Sequence, residues 1–406
     1  MPLSPEFTTQ QPLTQAGDLS TVVAKTPTGA PTLYRRRLAD IPKYVRHGDL
    51  VAISTIDDDR NIWAHGIVNP RAEAAVRILT RGGVVPDEAW WQAQIRKAVE
   101  LRKLLGIDAV SNAYRVIHAE GDGMPGMVAD RYGDLIAIEA FTLGMFQRSE
   151  AIAKLLCAEL GVSKWVVHPG PRTLEQEGFV AEPFSAEGVR DRTTVEENGL
   201  KFEIDLAGGH KTGFFCDQRE NRDRFAKFCA GKRVLDLCCY TGGFSISALV
   251  KGQAAEVTGV DLDEKAVEQA RRNARLNRTN TRFAHADAFP WVRDAIRTGK
   301  QYDVVMLDPP RFISSQDEVE EGRGKYFDLN RLAMQVVAPG GIFVTCSCSG
   351  LIAPEDFSRL IVGAIPPGRF GQIFARTGAG PDHPVASNCP ETEYLKAIWM
   401  RLGGNS

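Results

Sequence analysis

The stretch Arg233–Asn277, RVLDLCCYTGGFSISALVKGQAAEVTGVDLDEKAVEQARRNARLN, decides the fold. It opens on a short apolar run, RVLDL, crosses a turn with two adjacent glycines, and continues into FSISALV at helical spacing. A second apolar run, EVTGVDLD, feeds a second amphipathic segment, EKAVEQARRNARLN. Strand, helix, strand, helix in this rhythm predicts a mostly parallel sheet with crossover helices on its faces. Toward the C-terminus the rhythm continues: RFAHAD, FPWVRDAIRTG, YDVVMLDPP, KYFDLNRLAMQVVAPGG, IFVTCSCS, PEDFSRLIVGAI, RFGQIFAR and a last strand, TEYLKAIWMRL. The runs VLDL and VVML suit strands buried on both faces. Ligands of such sheets bind beyond the carboxyl ends of the strands, so function is sought there.

The first strand ends in Asp236-Leu-Cys-Cys-Tyr240-Thr241-Gly242-Gly243-Phe244. Two glycines between strand and helix let backbone approach a ligand closely. The string is neither GxGxxG nor a P-loop, which disfavours a dinucleotide or a triphosphate. The second strand ends in Asp261-Leu262-Asp263. Asp263 suits the N-cap of the next helix, which leaves Asp261 for ribose hydroxyls. The third ends at Asp287-Ala288, placed to accept from an adenine amino group, and the fourth in Leu307-Asp308-Pro309-Pro310. Two prolines stop that strand and fix an extended exit that holds Asp308 over the pocket.

The fifth strand ends in Val344-Thr345-Cys346-Ser347-Cys348-Ser349-Gly350. Zinc is disfavoured, because CxC supplies two ligands and no second pair at standard spacing accompanies it; no metal is expected. A buried structural cysteine is one reading and a nucleophile the other. Carbon 5 of a pyrimidine is a poor nucleophile, and a thiolate added at carbon 6 would make it an enamine able to attack an electrophilic methyl. The thiol must then be partly ionised, which needs a positive charge, hydrogen-bond donors or a helix terminus nearby.

Composition sets the frame. The chain has 406 residues, 43% hydrophobic and 25% charged, with net charge −2, values that exclude wholesale disorder, collagen and coiled coil. No run of about 18 apolar residues occurs, so no membrane is expected, and no secretory signal is visible, so a cytoplasmic protein is the default. The eight cysteines read as reduced thiols. Residues 1–31 are rich in Thr, Pro, Gln, Ser and Gly and read as a disordered tail. Residues 32–86 read as a small β module, 87–190 as a middle α/β domain, 191–215 as a connecting β-hairpin turning at Glu197-Asn198-Gly199, and 216–406 as the parallel-sheet domain. In the helix EAWWQAQIRKAVELRKLLG, Arg96, Lys97, Arg102 and Lys103 are expected on the exposed face. Glu120, Asp122 and Asp130 are either functional or polar turn residues.

Four strand ends reading DxxxxTGG, VDLD, AD and LDPP, in that order, resemble the class I S-adenosylmethionine-dependent methyltransferases, whose antiparallel seventh strand would be TEYLKAIWM. The blocks GHKTGFFCDQR (Gly209–Arg219), YTGGF, LDPP and TCSCSGL narrow the resemblance to the large-subunit ribosomal RNA methyltransferase I family, the 23S rRNA cytosine-C5 methyltransferases; GDGMPGMVADRYGD and DHPV…PETEYLKA are similar too. The resemblance implies an N-terminal PUA domain over 32–86, a Rossmann-like seven-stranded methyltransferase domain, S-adenosyl-L-methionine as methyl donor, and 23S rRNA or a large-subunit precursor as partner. A homodimer is allowed. The family's Ser-Cys-Ser-Gly string puts the nucleophile at Cys348, whereas the Thr-Cys-Ser string of more distant RNA cytosine-C5 enzymes would read as Cys346. Asp308 would hold the cytosine edge, and Gln218 would lie against the cofactor.

Two departures stand out. Arg311 follows the LDPP turn where lysine is usual, and YRRRLADIPKYV replaces the His-Pro-Trp start of the PUA block. Since a paired base is out of reach of a recessed thiol, the cytosine must be unpaired or flipped out. Substrate contacts are expected at Lys211, Arg219, Pro309, Pro310 and Arg311, with Arg35 to Arg37 and Arg222 as further phosphate ligands; Arg271, Arg272, Arg275 and Arg278 read as a solvated face. Two other functions compete: base-amino methylation at the LDPP turn, which needs no thiol, and a non-catalytic RNA-binding assembly factor with a vestigial cofactor pocket.

Overall fold

A computed structural model describes residues 3–15, 17–206 and 213–403. The chain divides into two compact units: Met1–Val195, Ile204–Phe214 and Pro381–Thr392 form one, and Glu196–Glu203, Phe215–Gly380 and Glu393–Ser406 the other. The division runs through the hairpin of strands Arg192–Glu197 and Leu200–Asp205. Asn198 and Gly199, at φ 51° and 78°, make the two-residue turn that the Asn-Gly pair predicts.

The first unit holds a six-stranded and a five-stranded sheet. The expected disordered tail is corrected here. Ser20–Ala24 is a strand inside the six-stranded sheet, parallel to Leu50–Thr55 and antiparallel to Leu38–Asp40, with Val22 and Ala24 fully buried. Ahead of it, Gln11 N donates to Gln147 O at 2.6 Å and Gln10 Nε2 to Phe146 O at 2.7 Å, on the helix Leu143–Leu160. Amide hydrogen bonds and one buried ladder order a segment that its low apolar content marks as unfolded.

Arg102 is also not where helical spacing put it. It is buried and forks onto Asp122, with further bonds to Arg115 O and Asp382 O. Arg115 is likewise paired with Asp130 through two bonds of 2.8 and 2.9 Å. Asp122 and Asp130 thus serve buried ion pairs. Asp382 accepts Arg115 N at 3.0 Å, and this is why residues 381–392 belong to the first unit although they were expected in the parallel-sheet domain. A buried guanidinium needs several acceptors, and a distant loop supplies them.

The second unit contains the seven-stranded sheet. Its strands, in chain order, are β1 (Arg233–Leu237), β2 (Glu256–Asp261), β3 (Arg282–His285), β4 (Tyr302–Leu307), β5 (Val337–Ser347), β6 (Phe370–Thr377) and β7 (Lys396–Gly403). Its helices are α1 (Arg219–Ala226), α2 (Gly243–Val250), α3 (Glu264–Leu276), α4 (Ala288–Arg297), α5 (Val319–Gln335) and α6 (Pro354–Gly363). The spatial order is β3-β2-β1-β4-β5-β7-β6; β1 to β5 are parallel, and β7 runs antiparallel to both β5 and β6. Alternate residues of β4 enter opposite cores: Val305 and Leu307 pack with Phe343 and Met400, Val304 and Met306 with Val344 and Trp399. Burial on both faces explains why these strands read as unbroken apolar runs.

Candidate active site

The carboxyl ends of β1, β2, β4 and β5 bring most of the expected residues together. After β1, Cys238, Tyr240 and Gly242 all adopt positive φ, at 60°, 47° and 84°. Two of these are not glycine, so the turn stores strain that its surroundings must hold. Asp236 holds it from beneath, accepting Ser245 N at 2.9 Å and Ser245 Oγ at 2.7 Å. Asp261 holds it from the side, accepting Tyr240 N at 2.7 Å and Asp263 N at 2.9 Å. Asn273, buried on α3, donates to Thr241 O at 3.0 Å. Gly242 has no room for a side chain, since a Cβ would stand 2.9 Å from Phe283 Cζ. Phe244 is buried at the start of α2, beneath the turn.

Asp236 is fully buried, and its Oδ1 has no hydrogen-bond partner among the described residues. Burial pushes its carboxyl up to about 7, against the pull of the Ser245 bonds and with the neighbouring Asp308 and Asp261 adding to the rise. The same acidic surroundings bear on Cys238 and Cys239, whose thiols burial pushes well above the ordinary value. Both are biased toward the neutral thiol.

Asp263 caps α3 as expected, accepting from Lys265 N and Ala266 N. Asp287 also proves to be a cap, accepting Phe289 N at 2.8 Å at the start of α4; β3 itself ends two residues earlier, at His285. Ala288 is the first residue of α4, and Leu262 stands 67% exposed beside Asp261, an apolar face open to a ligand.

The second half of the site surrounds Asp308. Its Oδ2 accepts Gln218 Nε2 at 2.9 Å, and Gln218 Oε1 accepts Asn221 Nδ2 at 2.6 Å. Gln218 is buried. Cys346 has no exposure and packs with Val344, Ala397 and Trp399; burial, then the nearby Asp308, pushes its thiol well above the ordinary value. Cys348, two residues on, is only partly buried. Pro309 is buried, and Pro310 and Arg311 are exposed.

The turn that carries Cys348 rests on a scaffold the motifs did not reveal. Ser347 Oγ donates to the Tyr326 hydroxyl at 3.0 Å, which lies 2.9 Å from Ser349 Oγ, and Ser349 Oγ accepts Ile313 N at 3.3 Å. Lys396 Nζ donates to Ser349 O at 2.6 Å and Ile352 O at 3.0 Å. A lysine inside the apolar run LKAIWM was the available signal for this residue.

Several expected substrate contacts move elsewhere. Arg219 is buried and paired with Glu220. Arg222 is buried in a fork onto Glu197, with bonds of 2.7 and 2.6 Å. A guanidinium sealed in an ion pair has no face left for a phosphate, so both are structural. Arg272 pairs with Glu203 and Arg271 donates to Phe283 O. Arg35 and Arg36 are exposed in a short 3-10 turn. Lys211 lies outside the described residues.

A strained Gly-Gly turn, acidic strand ends and a proline-locked Asp308 on a seven-stranded sheet define a Rossmann-like S-adenosylmethionine-dependent methyltransferase. Comparisons with known proteins agree. A family model for S-adenosylmethionine-dependent methyltransferases matches residues 172–384. "Ribosomal RNA large subunit methyltransferase I" of Photobacterium profundum is 34% identical over 359 residues, 84% of this chain and 88% of that protein. The protein of the same name from Aeromonas hydrophila is 40% identical over 299 residues, 71% of this chain and 74% of that protein. Among solved structures, one described as an S-adenosylmethionine-dependent methyltransferase from Streptococcus mutans has TM-score 0.79 at 18% identity, covering 94% of this chain and all of that one. SMU.776, a methyltransferase complexed with SAH, has TM-score 0.78 at 20% identity, covering 94% of this chain and 99% of that one. These two likenesses show the fold. The chain belongs to the ribosomal RNA large subunit methyltransferase I family. Among the described residues no helix is long and apolar enough to cross a membrane.

Proposed function

We propose that the protein methylates carbon 5 of a cytosine in large-subunit ribosomal RNA, with Cys348 as the nucleophile. One observation carries the choice of thiol: of the two cysteines at the end of β5, Cys346 is sealed in the core and Cys348 is partly exposed on a turn braced by Tyr326, Ser349 and Lys396. The residues present fit the methyl donor. Asp261 and the exposed Leu262 suit a ribose and an adenine, the strained turn Cys238–Gly242 offers backbone at close approach, and Asp236 keeps a buried oxygen unpaired beneath it. Tyr240, Thr241, Gly243, Phe244, Asp287 and Ala288 complete that cofactor set in the proposal. S-adenosylmethionine supplies a methyl group already activated as a sulfonium.

On this reading the Cys348 thiolate forms a bond to carbon 6 of the cytosine and turns carbon 5 into an enamine carbon. Once carbon 5 carries the methyl, loss of its proton to a base restores the ring double bond and expels the thiolate. Asp308, held by Gln218 and fixed by Pro309 and Pro310, would hold the cytosine edge during these steps. Arg311 would meet a flanking phosphate, and the six-stranded sheet of the first unit would serve as the PUA-like RNA-binding module. Incubation with labelled S-adenosylmethionine and unmodified ribosomal RNA, followed by nucleoside analysis, tests the reading. 5-Methylcytosine is expected; a methyl on a base amino group would replace it with the amino-methylation reading, and no transfer with intact cofactor binding would favour an assembly factor.

A further inference from the structure

Lys396 opens β7 directly opposite Ser347 of β5, and it is buried, 6% exposed. Two of the three N–H groups of its ammonium go to carbonyls of the turn just past Cys348, those of Ser349 and Ile352. Among the described residues it forms no salt bridge with a carboxylate. Carbonyl bonds alone are a poor reason for this arrangement. Removing an ammonium from water costs several kcal/mol, and a neutral amide could hold the same two oxygens (roughly a hydrogen bond each) without that cost. The charge itself therefore needs an account. The groups that bear on it are the Cys348 thiol and Glu393, which favour it, and Arg311, which opposes it; burial is the largest influence and pulls the ammonium down to about 8. Cys348 in turn is influenced by the Tyr326 hydroxyl from α5 and by Cys346 at the end of β5.

We propose that Lys396 is a positioning residue for the nucleophile: it clamps the turn that carries Cys348 and supplies the positive charge that favours the thiolate. The proposal rests on the reading of Cys348 as the nucleophile. Attraction between two opposite charges is mutual, so an ammonium that is favoured by the thiolate favours it in return. Cys346, two residues earlier, is under the influence of the Asp308 carboxyl instead. A lysine placed in this way gives one of two thiols, two residues apart, a different chemistry from the other.

The experiment is iodoacetamide labelling of the whole protein across pH, with the Cys348 peptide followed by mass spectrometry in the wild type and in Lys396→Met, Lys396→Gln and Lys396→Arg. Lys396→Met and Lys396→Gln are expected to raise the midpoint of Cys348 alkylation by about one pH unit and to slow it about tenfold at neutral pH. Lys396→Gln keeps hydrogen-bond donors and loses the charge, so it separates clamp from charge and guards against misfolding of the Met variant. Lys396→Arg should restore most of the reactivity. In the same variants kcat should fall with the alkylation rate while the affinity for S-adenosylmethionine, read by calorimetry, stays put. An unchanged alkylation midpoint in a folded Lys396→Gln variant would overturn the proposal. A Cys348→Ala protein that still methylates RNA would overturn the underlying nucleophile reading instead, and the two failures are distinguishable because alkylation is read on the thiol without turnover.

Discussion

Two turns at the carboxyl edge of one sheet carry adjacent or near-adjacent cysteines, and they surround them with opposite charge. The turn after β1 is ringed by Asp236, Asp261 and Asp308, and its thiols at Cys238 and Cys239 are held neutral. It obtains its shape from strained backbone tied to carboxylates. The turn after β5 is held by hydroxyls and a lysine, and it leaves Cys348 partly exposed. A thiol's chemistry is set less by its strand position than by the charges its turn is built from. An acidic turn suits a bound cation such as a sulfonium, and a turn with an ammonium suits an anionic nucleophile.

The sharpest way to break that contrast is Cys348→Ala. Methyl transfer should fall by roughly a thousandfold or more, as expected for the loss of a covalent nucleophile, while cofactor affinity by calorimetry is unchanged. Cys346→Ala should keep transfer; the reverse pattern would exchange the roles of the two thiols. Next in size is the ion pair Arg222–Glu197, which backs the first turn: a Cβ on Gly243 would stand 2.9 Å from Arg222 Cδ. Arg222→Met leaves Glu197 buried and unpaired and should cost about 3–5 kcal/mol in urea unfolding. A loss below 1 kcal/mol would mean that the pair is idle.

Gly242→Ala forces a side chain into left-handed backbone against Phe283, and about 1–3 kcal/mol of stability should be lost together with cofactor affinity. Unchanged binding would detach the turn from the cofactor site. The last effect, at Asp236, is read as a pH dependence. Its carboxyl sits at about 7 in the folded chain, against about 4 unfolded. The folded state binds that proton more tightly, so the contribution is present below about pH 4 and is lost as pH rises through about 7. Asp236→Asn does not ionise. Its melting temperature relative to the wild type should therefore climb between about pH 4 and pH 7, and a flat difference would refute the elevated carboxyl.

Much of the second unit was readable in advance. Local apolar runs with crossover helices name a parallel sheet, and Asp261, Asp263 and Asp308 fall at strand ends because strand ends are where such runs stop. The Asn198-Gly199 turn was equally local. What escaped was whatever depends on a partner far along the chain. Arg222 looks like a phosphate ligand until the hairpin's Glu197, 25 residues away, takes it. Residues 20–24 look like tail until two neighbouring strands supply their hydrogen bonds.

By itself, the order of residues determined the succession of strands and helices, the acidic strand ends and the presence of two thiols beside the LDPP turn, because periodicity and turn chemistry act over a few residues. Only the tertiary structure decided which thiol is buried, which arginines are spent on ion pairs, and that Lys396 reaches the turn after β5 from a strand about fifty residues later. Burial and charge pairing are properties of neighbours in space, and a linear pattern carries no record of them.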